Sequence, residues 1–271
     1  MKQFRVFGNP IAQSKSPFIH QQFAVQSALM MNYESELVEL EQFDIAVKKL
    51  IANKGKGANV TAPFKEQAFA LCDELSERAK LAGAVNTLIF SNGLIYGDTT
   101  DGLGLVNDLL RHHVQLKASK ILLLGAGGAA KGVVQSLLEQ FPQSLTIANR
   151  TLSKAEAIAE QYPNADVSAI TFEDTEHLVF DIIINATSTG LSGASLPISD
   201  QTIKSAHTCY DMVYGKEPTA FLKQAKLLAV ENIIDGLGML VGQAAESFYL
   251  WNNIRPDVEP VLMSLRAELN Q

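Results

Sequence analysis

The chain of 271 residues has few of the features that mark specialised protein classes. Its two cysteines, Cys72 and Cys209, are far apart and lack the CxxC or Cys/His spacing of zinc sites. We therefore expect reduced, buried thiols and no bound metal. No apolar run approaches the ~18 residues of a membrane span, and the short, charged N-terminus is not typical of a secretory signal. These absences predict a cytoplasmic protein without a membrane partner.

Excess positive charge is also absent. Lysine and arginine total 22 against 29 acidic residues, which gives a formal net charge of -7. This balance argues against a nucleic-acid surface, so an anionic ligand would need a local cationic site. The content of hydrophobic residues, 47%, and of charged residues, 19%, is that of an ordinary globular protein. The length suits one large or two modest domains.

Apolar periodicity predicts an α/β protein. In the first hundred residues it indicates strands over 4–7, 33–38 and 58–61, helices over 17–30, 43–52 and 62–79, and a hairpin of 84–90 with 94–97. Further on it indicates strands over 120–124, 145–148, 180–184, 208–213 and 231–235 that alternate with helices, a pattern typical of a parallel sheet. Helices over 237–251 and 256–270 end the chain. We expect Ser16 to cap the first helix and a capping box from Ser153 to Glu156 to open another.

A glycine-rich turn joins the strand over 120–124 to the helix that follows it. Gly125, Ala126, Gly127, Gly128, Ala129 and Ala130 give the pattern G-x-G-x-x-A between a buried strand and a helix. This context is that of a dinucleotide fingerprint, in which the glycines allow a tight turn and close approach of a pyrophosphate. Free amides at the helix N-terminus favour the phosphate charge. The stretch predicts a dinucleotide site.

The next strand ends in residues that select the cofactor. An NAD site usually places an acid here to hold the ribose 2′-hydroxyl. This chain has Asn149, Arg150 and Thr151 instead. The planar guanidinium of Arg150 suits a 2′-phosphate. The sequence therefore predicts NADP(H).

Two polar clusters in the first hundred residues combine groups that bind anions and transfer protons. Ser14 and Ser16 lie at a predicted helix N-terminus, where their hydroxyls could bind a small carboxylate or where Ser16 could simply cap the helix. Lys65 lies in the first turn of a predicted helix, where the positive end of the helix dipole favours release of its proton. Asp101 could pair with Lys65 or could cap its own helix; Lys65 could equally be a solvated surface lysine.

Other polar groups are weaker candidates. Thr187, Ser188 and Thr189 follow a predicted buried strand of the dinucleotide domain, where they could contact a ligand or form a plain turn. Gln243 is a polar residue in the apolar face of a predicted helix. The histidines have no metal-ligand spacing, and neither a nucleophile elbow nor a P-loop is present.

Taken together, these segments resemble the shikimate dehydrogenase family over nearly the whole chain. The resemblance is carried, in order, by residues 8–17, Asn59 to Lys65, residues 82–87, residues 98–102, Gly125 to Ala130, Asn149 to Thr151, and Asp235 to Met239. It implies NADPH-dependent reduction of 3-dehydroshikimate to shikimate, a step of aromatic amino acid biosynthesis. The chain departs from the family pattern at Gln13 and Thr99, and neither belongs to the implied proton-transfer pair.

The resemblance also implies a role for individual residues. Lys65 and Asp101 would form the catalytic pair, and Ser14 and Ser16 would hold the substrate carboxylate. The ring hydroxyls would be bound by Asn59, Thr61, Asn86, Asp101 and Gln243, with Tyr214 nearby. The cofactor would contact Gly125, Ala126, Gly127, Gly128, Ala129, Asn149, Arg150, Thr151, Lys154, Thr187, Ser188, Met212, Gly236, Met239 and, more distantly, Glu77.

The implied architecture has two α/β domains, the second a Rossmann-type doubly wound parallel sheet. Residues 1–100 would form a substrate-binding catalytic domain, completed by C-terminal helices within 237–271, and residues 101–236 would bind NADP. The partners would be the small-molecule substrate and cofactor, with the chain a monomer or homodimer. Two other readings stay open: an NAD-preferring quinate/shikimate dehydrogenase, which Arg150 disfavours, and a non-catalytic NADP-binding sensor, which should lack Lys65 or Asp101.

Overall fold

The computed structural model describes residues 1–189 and 195–270 and has a mixed α/β architecture. Its backbone divides into two compact units. Unit 1 consists of Met1–Gly104 and Leu240–Leu265, and unit 2 consists of Leu105–Met239 with the residues from Arg266 onward. Each unit contains a six-stranded sheet. The α/β class and the parallel sheet predicted for the second part of the chain are confirmed.

The sheet of unit 1 is mixed. Its strands are β1 (Lys2–Gly8), β2 (Met31–Leu37), β3 (Gly55–Val60), β4 (Glu74–Leu75), β5 (Thr87–Ser91) and β6 (Leu94–Asp98), in the spatial order β2-β1-β3-β5-β6-β4. Strand β1 pairs parallel with β2 and β3, whereas β5 is antiparallel to both β3 and β6. The predicted hairpin is therefore present. Asn92 and Gly93 both have positive φ, at 54° and 79°, as its two-residue turn requires.

Helices cover the sheet of unit 1. They are α1 (Ser16–Gln26), α2 (Phe43–Ala52), α3 (Lys65–Leu71) and α4 (Glu77–Ala82). The core between α2, α3 and the sheet is apolar, with Phe7, Phe43, Phe64 and Leu88 fully or almost fully buried. Such burial of aromatic and aliphatic side chains is the main force that holds the sheet and its helices together.

The sheet of unit 2 is parallel throughout. It contains β7 (Lys120–Leu124), β8 (Ser144–Ala148), β9 (Val167–Ile170), β10 (Ile182–Asn185), β11 (Thr208–Asp211) and β12 (Asn232–Asp235), in the order β12-β11-β10-β7-β8-β9. The order reverses at β7, so the carboxyl ends of β7, β8 and β10 meet at a topological switch point. Ligands of open parallel sheets bind at that place, and the glycine-rich turn directly follows β7.

Among the described residues, the helices that follow α4 are α5 (Asp101–Arg111), α6 (Gly128–Leu138), α7 (Leu152–Ala159), α8 (Asp200–Ser205), α9 (Ala220–Leu227), α10 (Leu237–Asn252) and α11 (Glu259–Leu269). Residues 173–175 form a single 3₁₀ turn. Helices α5, α10 and α11 contribute residues to both units.

Three local predictions are wrong. The single helix predicted over 62–79 is two helices, because the backbone becomes extended at Cys72 and Ser76 caps α4 by accepting from the Ala79 amide at 3.2 Å. Ser16 is not an N-cap, since α1 begins at Ser16 itself and its cap position, Lys15, makes no side-chain capping bond. Ser153 lies inside α7, which begins at Leu152.

The part of the chain that the structure describes contains no helix both long and apolar enough to cross a membrane. Nor do these residues group three or more histidine, cysteine or acidic side chains in a way that could hold a metal ion. Both cysteines are free thiols, and burial raises the pKa of each to about 12.

Candidate functional site

Lys65 and Asp101, which are 36 residues apart in sequence, meet in unit 1. The Lys65 ammonium donates to Asp101 Oδ2 at 2.5 Å, and the two side chains are 26% and 12% exposed. Lys65 is the first residue of α3, and Asp101 is the first residue of α5. The structure thus forms the pair that the sequence predicted. One charged donor and one carboxylate, partly shielded from water, are the elements of a proton-transfer site.

The second oxygen of Asp101 is held by Asn86. The Asn86 amide Nδ2 donates to Asp101 Oδ1 at 2.8 Å, so each carboxylate oxygen has its own donor. The backbone of Asn86 is fixed as well, because its N–H donates to the Asp98 carbonyl at 3.0 Å and its carbonyl accepts from Val60. Lys65, Asp101 and Asn86 therefore form one rigid group of polar side chains.

Gln243 lies close to this group. Its Oε1 is 3.5 Å from Asn86 Nδ2 and from Thr100 Oγ1, at the long limit of a hydrogen bond, and its Nε2 donates to the Leu240 carbonyl. The side chain is half-buried. Gln243 thus contributes an acceptor beside Asn86, as predicted from its place in an apolar helix face. Tyr214, another predicted substrate residue, is half-buried and belongs to unit 2.

The loops that follow β1 and β3 lie side by side. Both contain a cis-proline, at Asn9-Pro10 and at Ala62-Pro63, and the Asn9 amide donates to the Ala62 carbonyl at 3.2 Å. Gly8 is required at this approach, because a Cβ there would lie 2.6 Å from Thr61 Cγ2. The arrangement brings half-buried Thr61 beside the start of the loop that carries Ser14 and Ser16.

Ser14 and Ser16 flank Lys15, the cap position of α1, whose own side chain makes no capping bond. Ser14 Oγ accepts from the Ser16 amide at 3.3 Å, and Ser16 is 8% exposed. Ser16 also contacts the Tyr33 hydroxyl, an interaction that acts to lower the pKa of that phenol although burial raises it overall. Two hydroxyls close to the start of α1 are suitable donors for a carboxylate.

Asn59 is buried behind Asn86 and uses its whole amide inside unit 1. Its Oδ1 accepts from the Tyr33 hydroxyl at 2.7 Å. Its Nδ2 has three acceptors, the Asn86 carbonyl at 3.1 Å, Thr87 Oγ1 at 3.2 Å and Ser247 Oγ at 2.9 Å. The sequence pointed to Asn59 but not to Tyr33 or Ser247. Neither of these stands in a polar cluster or a motif, so no signal in the sequence marks them.

In unit 2 the glycine-rich turn has the geometry of a phosphate-binding loop. Gly125 has φ +105°, which favours glycine, and an added Cβ would lie 3.1 Å from Thr187. Helix α6 begins at Gly128, and its cap residue, Gly127, makes no side-chain capping bond. Gly127, Gly128 and Ala129 are exposed, and a Cβ at either glycine would meet open space. The first amides of α6 therefore face outward, where an anion can reach them.

Two cations stand after β8. Arg150 lies two residues before α7, and Lys154 lies in its first turn. Both are exposed, and no carboxylate within the described ranges pairs with either. Asn149 organises this turn by donating from Nδ2 to the Thr151 carbonyl at 2.9 Å. The absence of an acid and the presence of two accessible cations are consistent with a bound phosphate.

The loop after β10 is tied to a buried carboxylate. Thr187 donates from both its amide and its hydroxyl to Asn185 Oδ1, at 3.0 and 2.7 Å. Asn185 in turn donates to Asp211, which also accepts from Thr219 and from the Val213 amide. Burial raises the pKa of Asp211, and these hydrogen bonds counteract the rise. Ser188 is exposed. Hydrogen bonds thus hold this loop in place; Gly190, which follows Thr189, lies outside the described residues.

Met212 and Gly236 lie next to each other after β11 and β12. A Cβ on Gly236 would be 2.1 Å from the Met212 carbonyl oxygen, so only glycine fits this approach. Met239 is half-buried in the first turn of α10. Glu77 is separate from these residues: it belongs to unit 1, begins α4, is 84% exposed at its side chain and pairs with Lys80.

Comparison with known proteins identifies the same regions. The model of the shikimate dehydrogenase substrate binding domain matches residues 6–88, the shikimate / quinate 5-dehydrogenase model matches 108–198, and the shikimate 5′-dehydrogenase C-terminal domain model matches 236–266. Together these models account for most of the chain.

The sequence is also similar to individual proteins over its whole length. It is 56% identical to the shikimate dehydrogenase (NADP(+)) of Colwellia psychrerythraea, over 98% of this chain and 97% of that protein. It is 52% identical to the enzyme of the same name from Photobacterium profundum, over 100% of both. The fold matches the crystal structure of shikimate 5-dehydrogenase from Thermus thermophilus in complex with NADP(H) and shikimate, with a TM-score of 0.88, 31% identity and coverage of 99% and 100%.

Proposed function

This chain belongs to the shikimate dehydrogenase family, and we propose how its residues divide the NADPH-dependent reduction of 3-dehydroshikimate to shikimate. The reaction is reversible and belongs to the shikimate pathway of aromatic amino acid biosynthesis. When bound, NADPH supplies the hydride that reduces the substrate carbonyl carbon. The residues of unit 1 then bind the substrate and move the proton, and those of unit 2 bind the cofactor.

Lys65 is the proton donor in the direction of reduction. As the carbonyl carbon gains hydride, negative charge develops on its oxygen, and the Lys65 ammonium transfers a proton there. In the oxidation of shikimate the neutral amine takes the hydroxyl proton back. Asp101 holds the ammonium through the 2.5 Å contact and orients it toward the reacting oxygen. This contact, supported on its other side by Asn86, is the single observation that carries the assignment.

The substrate is held by side chains around that pair. Ser14 and Ser16, which flank the cap position of α1, bind the carboxylate. Thr61, Asn86, Asp101 and Gln243 bind the ring hydroxyls, and Tyr214 is assigned a further contact with the substrate. Asn59 supports Asn86 from inside unit 1, because all hydrogen bonds of its side-chain amide are made to other groups of that unit.

The cofactor is NADP(H), and unit 2 provides its site. The pyrophosphate binds the glycine-rich turn of Gly125, Ala126, Gly127, Gly128 and Ala129, of which the last three are exposed. Asn149, Arg150, Thr151 and Lys154 bind the adenosine ribose and its 2′-phosphate. Met212, Gly236 and Met239 bind toward the nicotinamide. Thr187 and Ser188 also contact the cofactor, and Glu77 is assigned a weaker contact.

The cellular setting follows from the pathway. We place the enzyme in the cytoplasm, which suits two cysteines that are free thiols. We propose that it works as a monomer or homodimer, with small molecules as its only required partners.

The proposed function is tested by following reduced cofactor at 340 nm. Purified protein is mixed with shikimate and NADP⁺, with shikimate and NAD⁺, and with quinate and each cofactor. Fast reduction of NADP⁺ with shikimate alone is expected. Comparable rates with NAD⁺ would contradict the cofactor specificity assigned to Arg150, and comparable rates with quinate would favour a quinate/shikimate dehydrogenase. NADPH binding without any turnover would contradict the catalytic role of the Lys65–Asp101 pair and favour a sensor.

A further inference from the structure

A buried cluster of hydrogen-bonded side chains supports Asn86 from behind. It consists of Asn59, Thr87, Thr100 and Ser247, which we call the support cluster. Asn59 is 6% exposed and the other three are fully buried. All four belong to unit 1, but they come from distant parts of the sequence: Ser247 is 188 residues from Asn59. Buried polar groups that are fully hydrogen-bonded hold a unique arrangement of side chains.

Ser247 is the centre of the support cluster. Its hydroxyl lies 2.9 Å from Asn59 Nδ2, 2.8 Å from Thr87 Oγ1 and 3.2 Å from Thr100 Oγ1. It also lies 3.0 Å from the Gln243 carbonyl one helical turn earlier. A hydroxyl has one proton and two lone pairs, so Ser247 donates to one of these four neighbours at a time and can accept from two. Ser247 thereby links α10 to the strands and loops that carry Asn59, Thr87 and Thr100.

The support cluster fixes which way the Asn86 amide points. Asn86 Oδ1 accepts from Thr87 Oγ1 at 2.7 Å and from the Thr100 amide at 2.9 Å, whereas Thr100 Oγ1 lies 3.2 Å from this oxygen and 3.0 Å from Nδ2. Because the oxygen is held by donors on that side, Nδ2 is turned toward Asp101, where it donates at 2.8 Å. A rotated amide would bring its oxygen against the carboxylate, which disfavours both groups.

Asn59 contributes to the support cluster through both ends of its side-chain amide. The Tyr33 hydroxyl donates to Asn59 Oδ1 at 2.7 Å, and burial raises the pKa of Tyr33 well above its ordinary value, which keeps that donor protonated. Both hydrogens of Asn59 Nδ2 then serve the Asn86 carbonyl, Thr87 and Ser247. No donor of Asn59 is left for a ligand, so its contribution is to the position of Asn86.

We propose that Ser247 is a positioning residue for the reaction, which acts through Thr87 and Thr100 on the Asn86 amide and through that amide on Asp101. The inference rests on the proposed function, in which Asn86 and Asp101 contact the substrate and Lys65 transfers the proton. Ser247 touches none of the reacting groups. Its removal frees Thr87 and Thr100 to rotate and so loosens the donor on Asp101 Oδ1.

Loss of the Ser247 hydroxyl should affect the substrate and not the cofactor. We expect Ser247→Ala to lower kcat/KM for shikimate about tenfold, the effect of one lost net hydrogen bond at the site. We expect both a higher KM and a lower kcat, because Asn86 helps to bind the substrate and Asp101 orients Lys65. The KM for NADP⁺ should change by less than about twofold, since unit 2 provides that site.

Ser264→Ala is the matched control. Ser264 also lies in a helix of unit 1 and donates to a carbonyl four residues earlier, that of Pro260, at 2.9 Å, but it is exposed and outside the support cluster.

A second pair of variants tests the chain of contacts itself. Thr87→Val removes the hydroxyl that bonds Ser247 and Asn86, whereas Thr87→Ser keeps it. If Ser247→Ala fails to fold, this pair carries the test.

The outcomes separate this inference from the proposed function. Losses in Ser247→Ala and Thr87→Val, rescue in Thr87→Ser and normal activity in Ser264→Ala support it. The inference alone is overturned if the wild type is active and Ser247→Ala keeps its kcat/KM for shikimate. It is also overturned if the wild type is active and Thr87→Ser is as impaired as Thr87→Val. Equal losses for shikimate and NADP⁺ also overturn it, because they indicate general damage. An inactive wild type overturns both.

Discussion

His20 should make unit 1 sensitive to acid. The imidazole is fully buried, and neither ring nitrogen has a hydrogen-bond partner among the described residues. It stacks on Tyr33 with ring centroids 4.1 Å apart and lies 5.3 Å from the Trp251 ring. Burial lowers the pKa of His20 to about 3, and the neighbouring Asn59 side chain acts in the opposite direction. The ring is therefore neutral in the folded protein.

The sign and size of the effect follow from that pKa. Between pH 6.5 and 3 the unfolded chain binds a proton at His20 and the folded unit does not, so stability falls as the pH falls through this window. Above pH 6.5 the contribution is fully present. The limiting loss is about 5 kcal/mol, and the loss between pH 7 and pH 5 is about 2 kcal/mol, from 1.36 kcal/mol per pKa unit.

The test compares the wild type with His20→Phe, which keeps the aromatic stack and removes the titrating group. Urea unfolding is followed at pH 7 and pH 5 by the fluorescence of Trp251, the only tryptophan, which belongs to unit 1 and so reports on that unit. We expect the difference in unfolding free energy between the two pH values to shrink by about 2 kcal/mol in His20→Phe. The same substitution at exposed His207 is the control. An unchanged difference in His20→Phe would refute the reasoning.

Two further predictions concern unit 2. Arg150→Ala should raise the KM for NADP⁺ about 10- to 100-fold, because it removes charge-assisted hydrogen bonds to the 2′-phosphate, and should change the KM for NAD⁺ by less than about twofold; equal changes in both would contradict the assignment. Gly236→Ala should destabilise unit 2 by about 1–3 kcal/mol and weaken NADPH binding, because its Cβ would lie 2.1 Å from the Met212 oxygen. Gly215→Ala, whose Cβ would meet its nearest atom at 3.5 Å, is the matched control, and comparable losses in denaturation and NADPH titration for the two variants would argue against the steric reason.

The sequence predicted the regular elements of unit 2 well because their signals are local. Strand β7 and the glycine-rich turn follow one another without interruption, and helix α6 starts at Gly128. Strand β9 was missed, since its four residues are half-buried or exposed and lack a buried apolar run. A short edge strand of this kind is recognisable only when its partner, β8, is in place.

Helix ends in unit 1 were harder to predict. Ser76 was absorbed into one long predicted helix, although it caps α4 and also donates to the Asp98 carboxylate, a residue 22 positions later. Ser16 has the residue type of a cap but stands inside α1. Both outcomes depend on how the neighbouring loops fold, and local helix propensity gives no information on that.

Residues of the candidate site also differ in how well the sequence predicts them. Lys65, Asp101 and Asn86 stand in recognisable segments, and the structure brings them together. Tyr33 and Ser247 have no such signal, because they become important only when the folded chain places them within hydrogen-bonding distance of Asn59. Residues that contact a ligand are thus easier to recognise in this sequence than residues that hold those contacts in place.

The most direct test of the proposed mechanism is the effect of Lys65→Ala on turnover and on substrate binding. Steady-state kcat is measured at 340 nm with shikimate and NADP⁺, and shikimate affinity is measured by calorimetry. Lys48→Ala, which removes another ion-paired lysine of unit 1, is the control. We predict that kcat falls about 10²- to 10⁴-fold in Lys65→Ala, the usual contribution of a proton-transfer group, while shikimate still binds. A near wild-type kcat in Lys65→Ala would contradict the assignment of Lys65 as the proton donor.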